Sequence, residues 1–191
     1  AITGAVNVTN GTLRISHSNA LGGVTLIDLG GTATTGVFSI SNAVATTVSQ
    51  DIRINATDVT RSGGGWLASD NATATSTVTF NGDVIGSSTT TRVLTLAGLN
   101  VGMNQLASTL TNGGGTGRLG LNVFGAAGWE LTGANTFSGG ITMLGGILRG
   151  SLSSLNLGGP SGNGVVFGGV AGTLAVIETS GSLTNSLGAV S

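Results

Sequence analysis

Cysteine is absent from this chain, which excludes disulfides and thiolate metal sites and leaves the redox compartment unread. Lysine and tyrosine are absent too, and all six basic residues are arginine: Arg14, Arg53, Arg61, Arg92, Arg118 and Arg149. Only 7% of residues are charged and the formal net charge is −1, whereas ordinary soluble domains carry about 25% charged residues. Six scattered arginines offset by seven carboxylates cannot form the basic stripe that displaces counterions from phosphates, so nucleic acid is excluded as a partner. A single histidine, His17, rules out a histidine-based metal cluster, and a Ser-His-Asp triad would have to run through it. It follows a strand pattern and reads as a solvent-facing turn residue. One proline, Pro160, and the lack of a three-residue glycine period exclude collagen. No apolar run approaches the roughly 18 residues of a membrane span, and no signal peptide or anchor is visible within the segment.

What the chain does contain is glycine, 36 residues of it, with threonine, serine and asparagine. Glycine costs a helix interior about 1 kcal/mol relative to alanine, so helices are disfavoured throughout. The 39% hydrophobic share is spread through short apolar/polar alternations at 24–29, 38–41, 52–55, 77–81, 93–96, 119–123, 129–132 and 174–178. Such alternation predicts strands with one buried face each. Asn10-Gly11, Gly30-Gly31, Asn81-Gly82, the run 112–115 and Gly145-Gly146 supply turns between them.

The sequence also repeats. ITGAVNVTNGTLRIS at 2–16 returns as FSGGITMLGGILRGS at 137–151, sharing Gly4/Gly139, Gly11/Gly146, Leu13/Leu148, Arg14/Arg149 and Ser16/Ser151. One inserted residue then aligns Leu21-Gly22-Gly23 with Leu157-Gly158-Gly159. A unit of about 135 residues plus the start of the next predicts a single solenoid segment over 1–191, part of a longer repetitive protein. A sandwich or barrel gives similar strand spacing; the repeat and the short, small-residue turns favour the solenoid. The expected fold is therefore all-β, a right-handed parallel β-helix. At about 20–24 residues per coil it would make roughly eight or nine coils.

Residues 128–150 read GWELTGANTFSGGITMLGGILRG. This stretch resembles the autotransporter-associated β-strand repeat, also called the passenger-associated transport repeat. Trp129, Leu131, Gly133, Asn135, Thr136, Phe137, Ser138, Gly139, Gly140, Gly146 and Leu148 fit its pattern, and the first copy shares Arg149 as Arg14. Ile141 stands where threonine is usual, and Met143-Leu144 depart in the following strand. Residues 1–23 hold a degenerate copy, and the matching passages cover about half of the chain. The resemblance implies a β-helical passenger or stalk of a large secreted or surface-displayed protein of a Gram-negative-type bacterium, its repeat assisting extracellular folding and export. A translocator barrel is not expected within this segment.

Several residues carry candidate chemistry. Gly115-Thr116-Gly117-Arg118-Leu119-Gly120 fits G-x-G-x-x-G, but no strand–helix unit surrounds it and a turn is the expected reading. The acids Asp51, Asp58, Asp70 and Asp83 could stack one coil apart, as Asp58 with Asp83 or Asp51 with Asp70, at the roughly 5–10 Å that glycoside hydrolysis needs. No dense basic group or calcium repeat accompanies them. Trp66, after Gly63-Gly64-Gly65, reads as a loop residue and is the candidate partner contact. Arg14 and Arg149 are expected to pair with carboxylates on neighbouring coils. Asn135 is expected to face inward and hydrogen-bond along a turn ladder, since buried amides need partners. Four N-x-T sequons, at Asn7, Asn10, Asn55 and Asn71, match chance for this composition.

The expectation that follows is a non-catalytic structural segment: a stalk, passenger or fibre-forming unit that needs no metal and no cofactor. Its partners would be neighbouring coils of its own or of identical chains, joined head to tail. An adhesin contacting glycans or cells through loops such as 60–74 is the alternative, and a β-helical carbohydrate-active enzyme the second alternative.

Overall fold

The computed structural model describes residues 2–31, 34–55, 64–86, 90–151, 153–157, 163–168 and 172–176. Its strands fall into three parallel sheets. The five-stranded sheet stacks β1 (Thr3–Val8), β3 (Gly23–Leu29), β6 (Asp51–Ile54), β9 (Val84–Gly86) and β12 (Leu110–Thr111) in that order. The seven-stranded sheet stacks β2 (Gly11–Ile15), β4 (Thr35–Ile40), β7 (Gly64–Ser69), β10 (Arg92–Gly98), β13 (Leu119–Val123), β15 (Ile141–Met143) and β17 (Val165–Phe167). The six-stranded sheet stacks β5 (Thr46–Val48), β8 (Val78–Phe80), β11 (Met103–Leu106), β14 (Gly128–Leu131), β16 (Ile147–Gly150) and β18 (Thr173–Val176). A 3₁₀ turn at Ser18–Leu21 is the one helical element among the described residues.

From β4 to β14 the chain visits the seven-, six- and five-stranded sheets in unbroken rotation, a β-helix-like course. At either side of that stretch one sheet is skipped. Between β2 and β3 the 3₁₀ turn replaces a strand of the six-stranded sheet and packs on β5. Between β14 and β15, and again between β16 and β17, the five-stranded sheet is passed by. The step between register partners accordingly varies, from 19 residues for Arg149 beside Glu130 to 32 for Val84 beside Ile52, a wider spread than the expected 20–24. The longest sheet holds seven strands among the described residues, set against the eight or nine coils expected.

The two sequence copies do not occupy equivalent places. β1 and β2 lie in the five- and seven-stranded sheets, whereas their counterparts β15 and β16 lie in the seven- and six-stranded sheets. The repeat therefore returns one sheet further round, because its length is not a whole number of coils.

Alternation along each strand delivers one continuous apolar core to the space between the sheets. Phe38, Phe80 and Trp129 run through it, with ring centroids 6.2 Å apart for the edge-on first pair and 6.1 Å for the stacked second. Buried asparagines tie neighbouring coils together. Asn104 Oδ1 accepts the N–H of Val78 at 2.9 Å while its Nδ2 donates to the carbonyl of Gly128 at 2.9 Å, so one amide joins three coils. Asn163 joins its own coil to the one before, accepting from Gly140 N at 3.0 Å and donating to Leu155 O at 2.9 Å.

Candidate functional site

The expectation of one buried face per strand fails in the seven-stranded sheet, and the exception locates a site. Leu67, Leu94, Leu96, Leu121 and Val123 point into the core, so Ala68, Thr95, Ala97 and Asn122 point outward, yet all four are buried. Ser39, outward on β4, is buried as well. Larger residues rise around these small ones and leave an open groove of about 350 Å³.

Trp66 forms one wall. It is not on a loop, as its glycine-rich lead suggested, but inside β7, in register with Val37 of β4 and Thr95 of β10. The preceding glycines are there for close approach: a Cβ on Gly64 would lie 2.3 Å from the carbonyl oxygen of Val93, and one on Gly65 2.6 Å from Ile54 Cδ1 in the core. From β7 the indole meets Phe124, just past β13, with ring centroids 5.6 Å apart and planes inclined at 56°. Phe124 is 47% exposed, and Leu99, which follows β10, is 74% exposed beside the same groove. The indole Nε1 is buried and has no hydrogen-bond partner among the described residues.

The opposite wall is polar. Ser39 Oγ donates to Asp70 Oδ2 at 2.7 Å, and the half-exposed Arg14 guanidinium stands 4.0 Å from the same oxygen. Asp70 Oδ1 accepts no hydrogen bond among the described residues. Asp70 is the one carboxylate lining the groove among the described residues. The arrangement places apolar ring surface on one side, a fixed acceptor and a cation on the other, and a floor too small-chained to fill the space.

The motif residues lie elsewhere and are mostly structural in their contacts. Trp129, Leu131, Phe137 and Leu148 are core residues, and Thr136 is exposed. Gly133 and Gly139 sit where a Cβ would meet the carbonyl of Ser108 at 1.9 Å and the backbone nitrogen of Gly120 at 2.5 Å. Gly140 and Gly146 take positive φ of 88° and 65° at turns. Asn135 is buried, accepts Leu110 N at 2.7 Å and donates to Ser154 O. Arg149 Nε lies 2.9 Å from Glu130 Oε1 in direct strand register. That bond, helped by one from Gln105 and opposed by burial, holds the Glu130 carboxyl below its ordinary pKa. Arg14 and Arg149 thus each face a carboxylate of another coil, Arg14 the more distant one.

The paired acids divide differently from the expected stacking. Asp51 opens β6 in the five-stranded sheet and Asp70 follows β7 in the seven-stranded one, so those two belong to different faces. Asp51 Oδ1 instead accepts Asp83 N at 3.0 Å, and Asp83 Oδ1 accepts Thr109 Oγ1 at 2.7 Å, a ladder along one corner. Asp58 and Arg61 lie outside the described residues, as do 60–63 of the expected contact loop 60–74 and the far end of the 174–178 strand pattern. His17 is exposed and caps the 3₁₀ turn, its Nδ1 accepting Asn19 N at 3.4 Å. The G-x-G-x-x-G run is a bend leading into β13. Asn71, one of the sequons, is buried, with its Nδ2 on Ser76 O.

Sequence reasoning missed Phe124, Leu99 and the Arg14–Asp70–Ser39 wall. The signal that could have found them is the strand register, which puts Val37, Trp66 and Thr95 in one row and Ser39, Ala68 and Ala97 in the next. Comparison of the chain with protein-family models, with curated proteins and with solved structures returns no match.

Proposed function

We propose that this chain is a non-catalytic structural segment: a right-handed parallel β-helix of roughly eight or nine coils that serves as the stalk, passenger or fibre-forming unit of an exported bacterial surface or extracellular protein. The observation that carries the reading is continuity from coil to coil. Every pairing between named strands is parallel, one apolar core threads all three sheets, and buried asparagine amides join successive coils. Each coil stabilises its neighbours, so length can be added without a new core, which is what a spacer requires. The Trp129–Leu148 motif and the low surface charge agree with an exported passenger.

The test is where the protein lies. Antibodies raised against this chain should label intact cells of the producing bacterium, or its culture medium, and electron micrographs of the parent protein should show rods. Labelling confined to permeabilised cells would overturn the reading.

A further inference from the structure

We propose that the groove on the outward face of the seven-stranded sheet binds a neutral glycan, seating one or two pyranose rings against Trp66 and Phe124 with their hydroxyls on Asp70 and Arg14. This goes beyond a spacer's role, for which an outward face needs only solubility.

The first argument is shape. A volume of about 350 Å³ falls at the lower end of ligand pockets, which begin near 300 Å³. It exists because Ser39, Ala68 and Ala97 are small while the residues around them are large. Trp66 and the floor residues Ser39, Ala68 and Ala97 stand on β7, β4 and β10, strands paired on both sides, so that part of the site is preformed and loses little entropy on binding.

The second argument is chemistry. A pyranose has an apolar C–H face and a rim of hydroxyls. The two rings, 5.6 Å apart and inclined at 56°, offer a bent aromatic platform whose negative π faces attract C–H hydrogens. Across the floor, Asp70 is held by Ser39 Oγ at 2.7 Å through Oδ2, leaving Oδ1 to accept from sugar hydroxyls. Arg14, 58% exposed at its side chain, supplies donors to the same rim.

The third argument is charge. One guanidinium and one carboxylate cancel, so the groove does not select a polyanion, which would meet Asp70 with a single arginine to offset it. The groove is open, and a chain of sugars can run through it with rings beyond the site in solvent.

Calorimetric titration of the purified chain with neutral hexasaccharides of glucose, mannose and galactose, their monosaccharides, and a heparin hexasaccharide tests the assignment. At least one neutral hexasaccharide should bind saturably at millimolar concentration or below. Trp66→Ala, Phe124→Ala and Asp70→Asn should each weaken it by about tenfold or more, a loss on the scale of one aromatic or charged contact. Phe124 is half-exposed and Asp70→Asn is isosteric, so these two variants test the site even if Trp66→Ala misfolds. Equal binding of the monosaccharide would place a terminal sugar in the groove, and its absence an internal stretch; either supports the site. The proposal is overturned if no neutral sugar binds, if binding is unchanged in both Phe124→Ala and Asp70→Asn, or if heparin binds more tightly than every neutral probe.

Discussion

The side-chain oxygen of Asn135 lies 2.7 Å from the backbone nitrogen of Leu110, at the point where the five-stranded sheet runs out of strands. β12 begins at Leu110 and no later strand of that sheet pairs with it among the described residues. The amide therefore stands in for the carbonyl that another strand would have offered, and passes the connection onward through Ser154 O. Asn135→Leu should leave a buried N–H and a buried C=O without partners. At about 1–3 kcal/mol per orphaned group, the expected loss is about 2–6 kcal/mol, read from urea denaturation midpoints. A loss below that of an exposed asparagine such as Asn10 would refute the bridging role.

The Glu130–Arg149 pair makes stability depend on acid. Its hydrogen bonds favour the carboxylate and hold its pKa below that of an unfolded chain. A group depressed in this way contributes stability above the unfolded value of about 4.3, and the contribution disappears as pH falls through the lower folded value. Glu130→Gln should thus lower the melting temperature at neutral pH and lower it by progressively less in acid, until the two proteins converge. A difference that stayed constant from neutral pH into strong acid would show that packing, not ionisation, sets the effect.

Much of the strand pattern was legible because alternation is local. Residues 24–29, 52–55, 93–96 and 119–123 fall in or against β3, β6, β10 and β13. Asn135 was legible for a different reason: an amide amid a glycine-rich turn motif needs partners, and the fold supplies Leu110 and Ser154. Trp66 was misread because three glycines look like a loop, when Gly64 and Gly65 instead let β7 pass close to Val93 and Ile54. The groove was hidden altogether. Arg14 and Asp70, or Trp66 and Phe124, are brought together by inter-coil register, and that register depends on steps that vary along the chain.

Close approach of backbones at the corners predicts a sharp contrast between two glycines. At Gly133 a Cβ would fall 1.9 Å from the carbonyl oxygen of Ser108, a backbone atom held by the coil below, whereas at Gly114 it would meet nothing within 4 Å. Gly133→Ala should cost about 2–4 kcal/mol, since coils must separate to admit the methyl group. Gly114→Ala should be neutral or stabilise by up to about 1 kcal/mol through a less flexible unfolded chain. Thermal melts of both variants decide it, and equal effects would mean that the corner yields easily.

Arg92 offers the reverse case, a native residue whose replacement should help. It shares the inward register of Leu94 and Leu96 at the start of β10 and is only 7% exposed. Its guanidinium bonds to Thr90 Oγ1, its Nε has no partner, and no carboxylate pairs with it among the described residues. Burial lowers its pKa from the ordinary arginine value, the signature of a charge taken from water without compensation. By contrast Arg53, whose pKa is raised, binds Asp28 through both Nε and Nη2. Arg92→Met keeps most of the side-chain length and removes the desolvated charge, so stability should rise by about 1–3 kcal/mol. Arg92→Ala, which removes the stem as well, should gain less or lose outright through the cavity it leaves. Urea midpoints for the two variants separate charge from packing. A fall in stability for Arg92→Met would mean that the Thr90 bond outweighs the desolvation of the guanidinium.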